Sequence, residues 1–136
     1  REVQAVEIVE DAIAAARVNA ELNGVTTASF HAADVRPLLR FPPHPVLDAG
    51  RAHEEDRPGV VVTDPPRAGM ARKALARAAA LGAERFVYVS CNPTTLAGDA
   101  LELTADLGYA LTTVAPVDMF PHTHHIETVA LFSRRA

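Results

Sequence analysis

Apolar, β-rich runs alternate along this chain with alanine-rich stretches that end at glycine. This alternation limits the fold more than any other feature. Val3 to Val6, Thr27 to His31, Gly59 to Thr63, Arg85 to Val89, Tyr109 to Val117 and Ile126 to Ser133 read as strands. Glu10 to Asn23, Ala71 to Leu81 and Thr94 to Leu107 read as helices, which alanine favours. Gly24, Gly82 and Gly108 stand where a left-handed C-cap stops a helix, and Thr94 or Thr95 is expected near the last N-cap. Strands that alternate with helices build a mostly parallel sheet with helices on both faces. Gly59 to Thr63 is a continuous apolar run, the pattern of a strand covered on both sides. The last two strands are joined by a loop and no helix. A terminal hairpin follows, with one antiparallel strand at the end of the sheet.

The chain has 136 residues, about half of them apolar, which suits one globular domain spanning residues 1–136. Residues 41–58 hold prolines, histidines and the acidic run Glu54-Glu55-Asp56, and read as a loop insertion in that domain. Val35 to Leu39 reads as one or two helical turns. A single cysteine points to a reducing, cytoplasmic compartment rather than a disulfide scaffold. No apolar run approaches the roughly 20 residues that cross a bilayer. The net charge of −4 and the lack of a basic block argue against a free-standing nucleic-acid binder. They leave room for an enzyme whose RNA is gripped by another domain. Arg1 opens directly in strand-like sequence without methionine, so the chain reads as a piece of a longer one.

Three segments end where open α/β sheets put their chemistry, just beyond the carboxyl ends of strands. In Phe86-Val87-Tyr88-Val89-Ser90-Cys91-Asn92-Pro93 a β-run delivers the one thiol to a strand end. Most lone thiols are inert core residues. The functional reading is a nucleophile beside a helix N-terminus, a setting that favours thiolate. Asp64-Pro65-Pro66-Arg67 follows a buried run, and its prolines stiffen a turn without needing hydrogen-bond partners. Its plain alternative is an ordinary turn with a capping aspartate. Base-modifying methyltransferases often carry Asp/Asn-Pro-Pro-aromatic here, and arginine in the last place argues against exocyclic-amine methylation. Glu127, in His125-Ile126-Glu127-Thr128-Val129, is either a solvent-facing carboxylate or a general base. Glu7 and Asp34 end successive strands, as the ribose- and adenine-contacting acids of nucleotide-binding folds do, and helix capping is their alternative. The spacing of His122, His124 and His125 with Asp118 could bind zinc, but Cys91 is the single cysteine and no H-E-x-x-H or C-x-x-C pattern is present, so solvent-facing or substrate-loop histidines are the reading and no metal is assigned.

Taken together, Asp64-Pro65-Pro66-Arg67-Ala68-Gly69, Ser90-Cys91-Asn92-Pro93-Thr94-Thr95-Leu96, Asp118-Met119-Phe120-Pro121-His122-Thr123 and His125-Ile126-Glu127-Thr128-Val129 closely resemble the RNA uracil-5-methyltransferase family. Ala5-Val6-Glu7 and Ala16 to Gly24 resemble it as well. The resemblance implies a Rossmann-like class I methyltransferase fold and S-adenosylmethionine as cofactor. The substrate it implies is a uridine of tRNA or rRNA. Cys91 takes the role of nucleophile and Glu127 that of the base for the C5 proton. Asp64 falls at the junction of cofactor and target base, Arg67 near the uridine, Glu7 at the cofactor ribose and Asp34 near its adenine. The family's first strand and glycine-rich loop would precede Arg1. Two apolar edges then pair with each other, borrow a strand in a dimer, or remain poorly packed. Gly98 stands where the family usually has arginine. The competing readings are a methyltransferase of this fold acting on another base or a small molecule, a non-catalytic interaction domain, and a cysteine hydrolase built on Cys91 and a nearby histidine.

Overall fold

In the computed structural model of the protein, residues 2–35 and 57–135 are described. The expected helical turns after Val35 and nearly all of the expected 41–58 insertion lie outside them. The chain forms two compact units, residues 1–52 and 53–136.

In the first unit, strand β1 (Val3–Glu7), helix α1 (Glu10–Leu22) and strand β2 (Ala28–Ala32) follow one another. β1 and β2 pair in parallel from Val3↔Ala28 to Glu7↔Ala32. Parallel neighbours need a crossover, and α1 supplies it. The helix stops at Gly24, whose φ of +65° costs glycine little. Ile13 is the buried anchor of α1, and Arg17 Nη2 donates to the Phe30 carbonyl of β2 at 2.8 Å.

The second unit holds β3 (Val60–Thr63), α2 (Arg72–Ala80), β4 (Arg85–Ser90), α3 (Pro93–Ala105), β5 (Tyr109–Val117) and β6 (Glu127–Arg134). Its sheet runs β3-β4-β6-β5. β3 and β4 are parallel, and β6 is antiparallel to both β4 and β5. The antiparallel strand is therefore last in sequence but not last in the sheet, a correction to the sequence reading. The reason lies in the two strands. β6 alternates buried and half-buried residues and is paired on both sides. β5 carries Pro116 and a register shift between Leu111 and Thr113, features that an edge tolerates.

The core lies on one face of this sheet. Phe86, Tyr88 and Ser90 of β4 are buried opposite Phe132, Ala130 and Thr128 of β6. Ala74, Leu75, Ala78 and Ala79 of α2 and Leu96 and Leu103 of α3 are buried with them. The Tyr109 ring meets Phe86 edge-on at 5.8 Å, and its hydroxyl donates to the Ala83 carbonyl at 2.9 Å. Burial raises the pKa of this phenol, and the positive charge of Arg134 opposes the shift.

β3 is not covered on both sides as its apolar run suggested. It is an edge strand of its sheet, with Val60 and Val62 exposed. β1 and β3 belong to separate sheets. The expectation of a dimer gains no support from the described residues. No helix among them is long and apolar enough to cross a membrane.

Candidate functional site

Cys91 is the first residue beyond β4, and Glu127 is the first residue of β6. The last β4–β6 pair is Ser90↔Thr128. One step further, the same antiparallel register sets Cys91 opposite Glu127. Residues opposite one another in such a pair share a face. Ser90 and Thr128 are buried on the helix-covered face, so alternation assigns Cys91 and Glu127 to the other one. Both are half-buried. Asp64 and Arg67 follow β3 and are exposed. Since β3 runs parallel to β4, all four residues lie at one edge of one sheet.

A set of hydrogen bonds ties the three motifs of this edge together. Asn92 is the N-cap of α3, with its Oδ1 accepting the Thr94 N–H at 3.1 Å and Pro93 following as first helical residue. The cap is thus Asn92 and not Thr94 or Thr95. The same side chain uses Nδ2 to donate to the Arg67 carbonyl at 3.2 Å. Thr95 Oγ1 is 3.2 Å from that carbonyl and 3.0 Å from the carbonyl of Asn92. Two residues beyond Arg67 the loop turns at Gly69, with φ of +80° and its N–H on the Pro66 carbonyl at 2.8 Å. The next N–H, of Met70, donates to Asp99 Oδ2 at 2.9 Å. The Tyr88 hydroxyl, rising from the buried face of β4, donates to the same oxygen. Burial first, then this hydrogen bond and the carboxylate's charge, push the Tyr88 phenol well above its usual range.

The Arg67 side chain reaches the third motif. Its Nη1 stands 3.4 Å from His125 Nδ1, two residues before Glu127. The His125 ring lies 4.2 Å from that of His124, tilted by 38°, and edge-on to Phe120 at 6.4 Å. The connection between β5 and β6 is ordered by a turn in which the Thr123 N–H and hydroxyl both bond the Phe120 carbonyl, with His122 at φ of 68°. The polar contact of the His125 ring is thus with the Arg67 guanidinium. Among the described residues no group of three or more His, Cys, Asp or Glu is arranged to hold a metal ion.

Glu7 and Asp34 lie in the first unit. Glu7 ends β1 and pairs with Ala32, and Asp34 stands two residues beyond Ala32. Both acids therefore sit at the carboxyl edge of the same parallel pair. Glu7 Oε1 accepts the Val9 N–H at 2.9 Å and orders the entry into α1. Val9 is the N-cap of α1 and the helix has no side-chain cap, so this bond is not a helix cap; the carboxylate retains further acceptor positions for a hydroxyl.

Sequence reasoning passed over Asn92 as a clamp, and over Thr95 and Asp99. Their spacing, at i, i+3 and i+7, puts them on one stripe of α3. A polar stripe of this kind was visible in the sequence. Its target, the backbone at Arg67 and Met70, was not.

Residues 49–135 match the family model described as tRNA (Uracil-5-)-methyltransferase. Over 129 residues, 95% of this chain, the sequence is 48% identical to an uncharacterized RNA methyltransferase of Chlorobaculum tepidum, and this stretch is 25% of that protein. Over 134 residues, 98% of the chain, it is 42% identical to one of Caldanaerobacter subterraneus, covering 27% of it. The chain thus spans about a quarter of the length of these relatives. Among solved structures it is similar to the tRNA (uracil-54, C5)-methyltransferase of Pyrococcus abyssi in complex with S-adenosyl-L-homocysteine. That likeness has a TM-score of 0.72 and 34% identity, and covers 96% of this chain and 28% of the other. Magnesium protoporphyrin IX methyltransferase of Synechocystis superposes with a TM-score of 0.66 at 10% identity, over 98% of this chain and 59% of the other. At that identity the likeness shows the fold alone, the Rossmann-like class I methyltransferase fold. With most of its length matched by one family model, and all three motifs gathered at one sheet edge, the chain belongs to the tRNA (uracil-5-)-methyltransferase family.

Proposed function

We propose that the parent protein transfers a methyl group from S-adenosylmethionine to C5 of a uridine in tRNA or rRNA, with Cys91 as nucleophile and Glu127 as general base. The observation that supports this reading is the β4–β6 register, whose last pair Ser90↔Thr128 is next in sequence to Cys91 and Glu127, with Arg67 bonded to Asn92 and His125 beside them.

Uracil C5 is a poor nucleophile. Addition of the Cys91 thiolate at C6 moves the ring electrons onto O4 and makes C5 electron-rich. S-adenosylmethionine, when bound, supplies the electrophilic methyl group that C5 takes up. Glu127 then removes the C5 proton, the C5–C6 double bond re-forms, and the C6–S bond breaks to return the thiolate. A thiol and a carboxylate must therefore approach one ring, and opposed positions on two adjacent strands meet that need. Arg67, with five fixed N–H donors, suits the carbonyl oxygens of the uracil. The family resemblance gives Asp64 the role of contacting both target base and cofactor. The uridine must be flipped or single-stranded to enter.

The cofactor reading is supported by the donor set of the first unit. Glu7 and Asp34, at the carboxyl edge of a parallel pair, offer acceptors for ribose hydroxyls and for the adenine amine. The structural relative from Pyrococcus abyssi carries S-adenosyl-L-homocysteine, the demethylated form of this cofactor.

The test uses the full-length parent and RNA tritiated at uridine C5. The reading expects tritium release to water in step with methyl incorporation. Methyl incorporation without tritium release would place the methyl group elsewhere and overturn it.

A further inference from the structure

We propose that Asp99 is a positioning residue for Arg67. Together with Asn92 and Thr95 on the same stripe of α3, it fixes the Asp64–Met70 loop at the height of Cys91. The inference rests on the functional reading above and adds a residue that the reading does not use.

The loop is gripped at two points. Asn92 and Thr95 both reach the carbonyl of Arg67, at 3.2 Å each. Asp99 Oδ2 accepts the N–H of Met70 at 2.9 Å. One point is the Arg67 carbonyl, inside the Pro66–Gly69 turn, and the other is the Met70 N–H just beyond it, so the backbone is held within its reversal and directly after it. Asp99 is itself held from below by Tyr88, a fully buried side chain of β4. The carboxylate therefore links the rigid core of the sheet to the loop. The fit is close: a Cβ on Gly69 would stand 2.9 Å from Asp99 Oδ2 and 3.3 Å from Thr95 Cβ. Glycine lets the loop come near enough for the Met70 bond to form.

The same helix begins directly after Cys91 and Asn92. One stripe thus places both the thiol, through the helix start, and the guanidinium, through the loop. Loss of Asp99 frees the Met70 end while leaving Cys91 where it is. Arg67 then drifts relative to the thiol and to His125 and Glu127. Misplacement of a positioning group by about 1 Å costs on the order of 10²-fold in rate.

The test is single-turnover methyl transfer by the full-length protein at saturating RNA and cofactor. Asp99→Ala is expected to lower the rate by about 10²-fold, as is Arg67→Ala. Because Asp99 acts through Arg67, the double variant is expected to be no slower than the slower single one. Asp99→Asn, whose amide oxygen still accepts from Met70 and Tyr88, is expected to recover most of the rate. Losses that multiply in the double variant, or an undiminished rate in Asp99→Ala, would overturn the proposal. If Asp99→Ala does not fold, Tyr88→Phe, which removes the support under Asp99, carries the same cycle with Arg67→Ala. Hydrogen exchange gives a readout free of activity: the Met70 amide should exchange at least about tenfold faster in Asp99→Ala while the Arg85–Ser90 strand is unchanged. If the wild-type protein methylates no uridine, the functional reading fails by itself. Exchange then decides the clamp, and an unchanged Met70 amide would overturn it.

Discussion

Asn92 holds two things with one side chain: its Oδ1 caps α3, and its Nδ2 donates to the carbonyl of Arg67 at 3.2 Å. The residue after the proposed nucleophile is thereby bound to the residue proposed to face the uracil. Motifs 25 residues apart become one unit through that hydrogen bond. Packing of α3 on β4 and β5 makes the unit stiff.

The turn at Gly69 is a sensitive point. Its φ of +80° is strained for any residue with a Cβ, and the added methyl would meet the Asp99 carboxylate at 2.9 Å. We expect Gly69→Ala to destabilise the full-length protein by about 1–3 kcal/mol in urea denaturation. A midpoint equal to wild type would mean that the loop is not held against α3.

Gly98 makes the opposite prediction. It lies inside α3, its φ is not positive, and a Cβ there meets nothing within 4 Å. A helical glycine costs conformational entropy with no compensating contact. Gly98→Ala should stabilise by about 0.5–1 kcal/mol, read from the same denaturation. A side chain at this position meets open space, so the residue here leaves the Arg67 clamp intact.

Tyr88 gives stability an alkaline limit. Its phenol is raised above the ordinary value of about 10 by burial and by Asp99. The folded state therefore holds this proton more tightly than the unfolded state does. The stabilisation is complete below about pH 10 and is lost as pH rises beyond it. Tyr88→Phe should cost about 1–2 kcal/mol at neutral pH, the loss of one hydrogen bond to a carboxylate. The difference between the two proteins should stay constant from about pH 7 to 9 and shrink above about pH 10. A difference that grows with pH would contradict the assignment.

Phe132 tests the core. It is fully buried in β6 opposite Phe86. Phe132→Ala should destabilise by about 3–5 kcal/mol, since the sheet and two packed helices cannot collapse onto the void. A loss below about 1 kcal/mol would place the core elsewhere.

Elements were legible in this sequence because period and punctuation agree. Alanine-rich stretches ended at Gly24, Gly82 and Gly108, and each of these glycines has positive φ. Sheet order was less legible. Nothing local says that β6 enters between β4 and β5, because that choice depends on which edges are already paired. The cap at Asn92 was missed although Asn-Pro is itself a helix-start signal. Asp99 was missed for another reason. Its partners, Tyr88 and Met70, are 11 and 29 residues away, and such pairs leave no trace in a single sequence. The proposed site residues were read from strand ends, a rule of topology that needs no contact information.

The central claim is covalent catalysis at Cys91 with Glu127 as base, and trapping tests it most directly. RNA whose target uridine is replaced by 5-fluorouridine should form a persistent covalent adduct with the full-length protein and S-adenosylmethionine, because fluorine at C5 cannot leave as a proton does. Mass spectrometry should locate the adduct on Cys91. Cys91→Ala should give no adduct and no methyl transfer. Glu127→Gln should form an adduct even with ordinary uridine RNA and release it slowly, since only elimination needs the base. Normal turnover by Cys91→Ala, or an adduct on any other residue, would contradict the account.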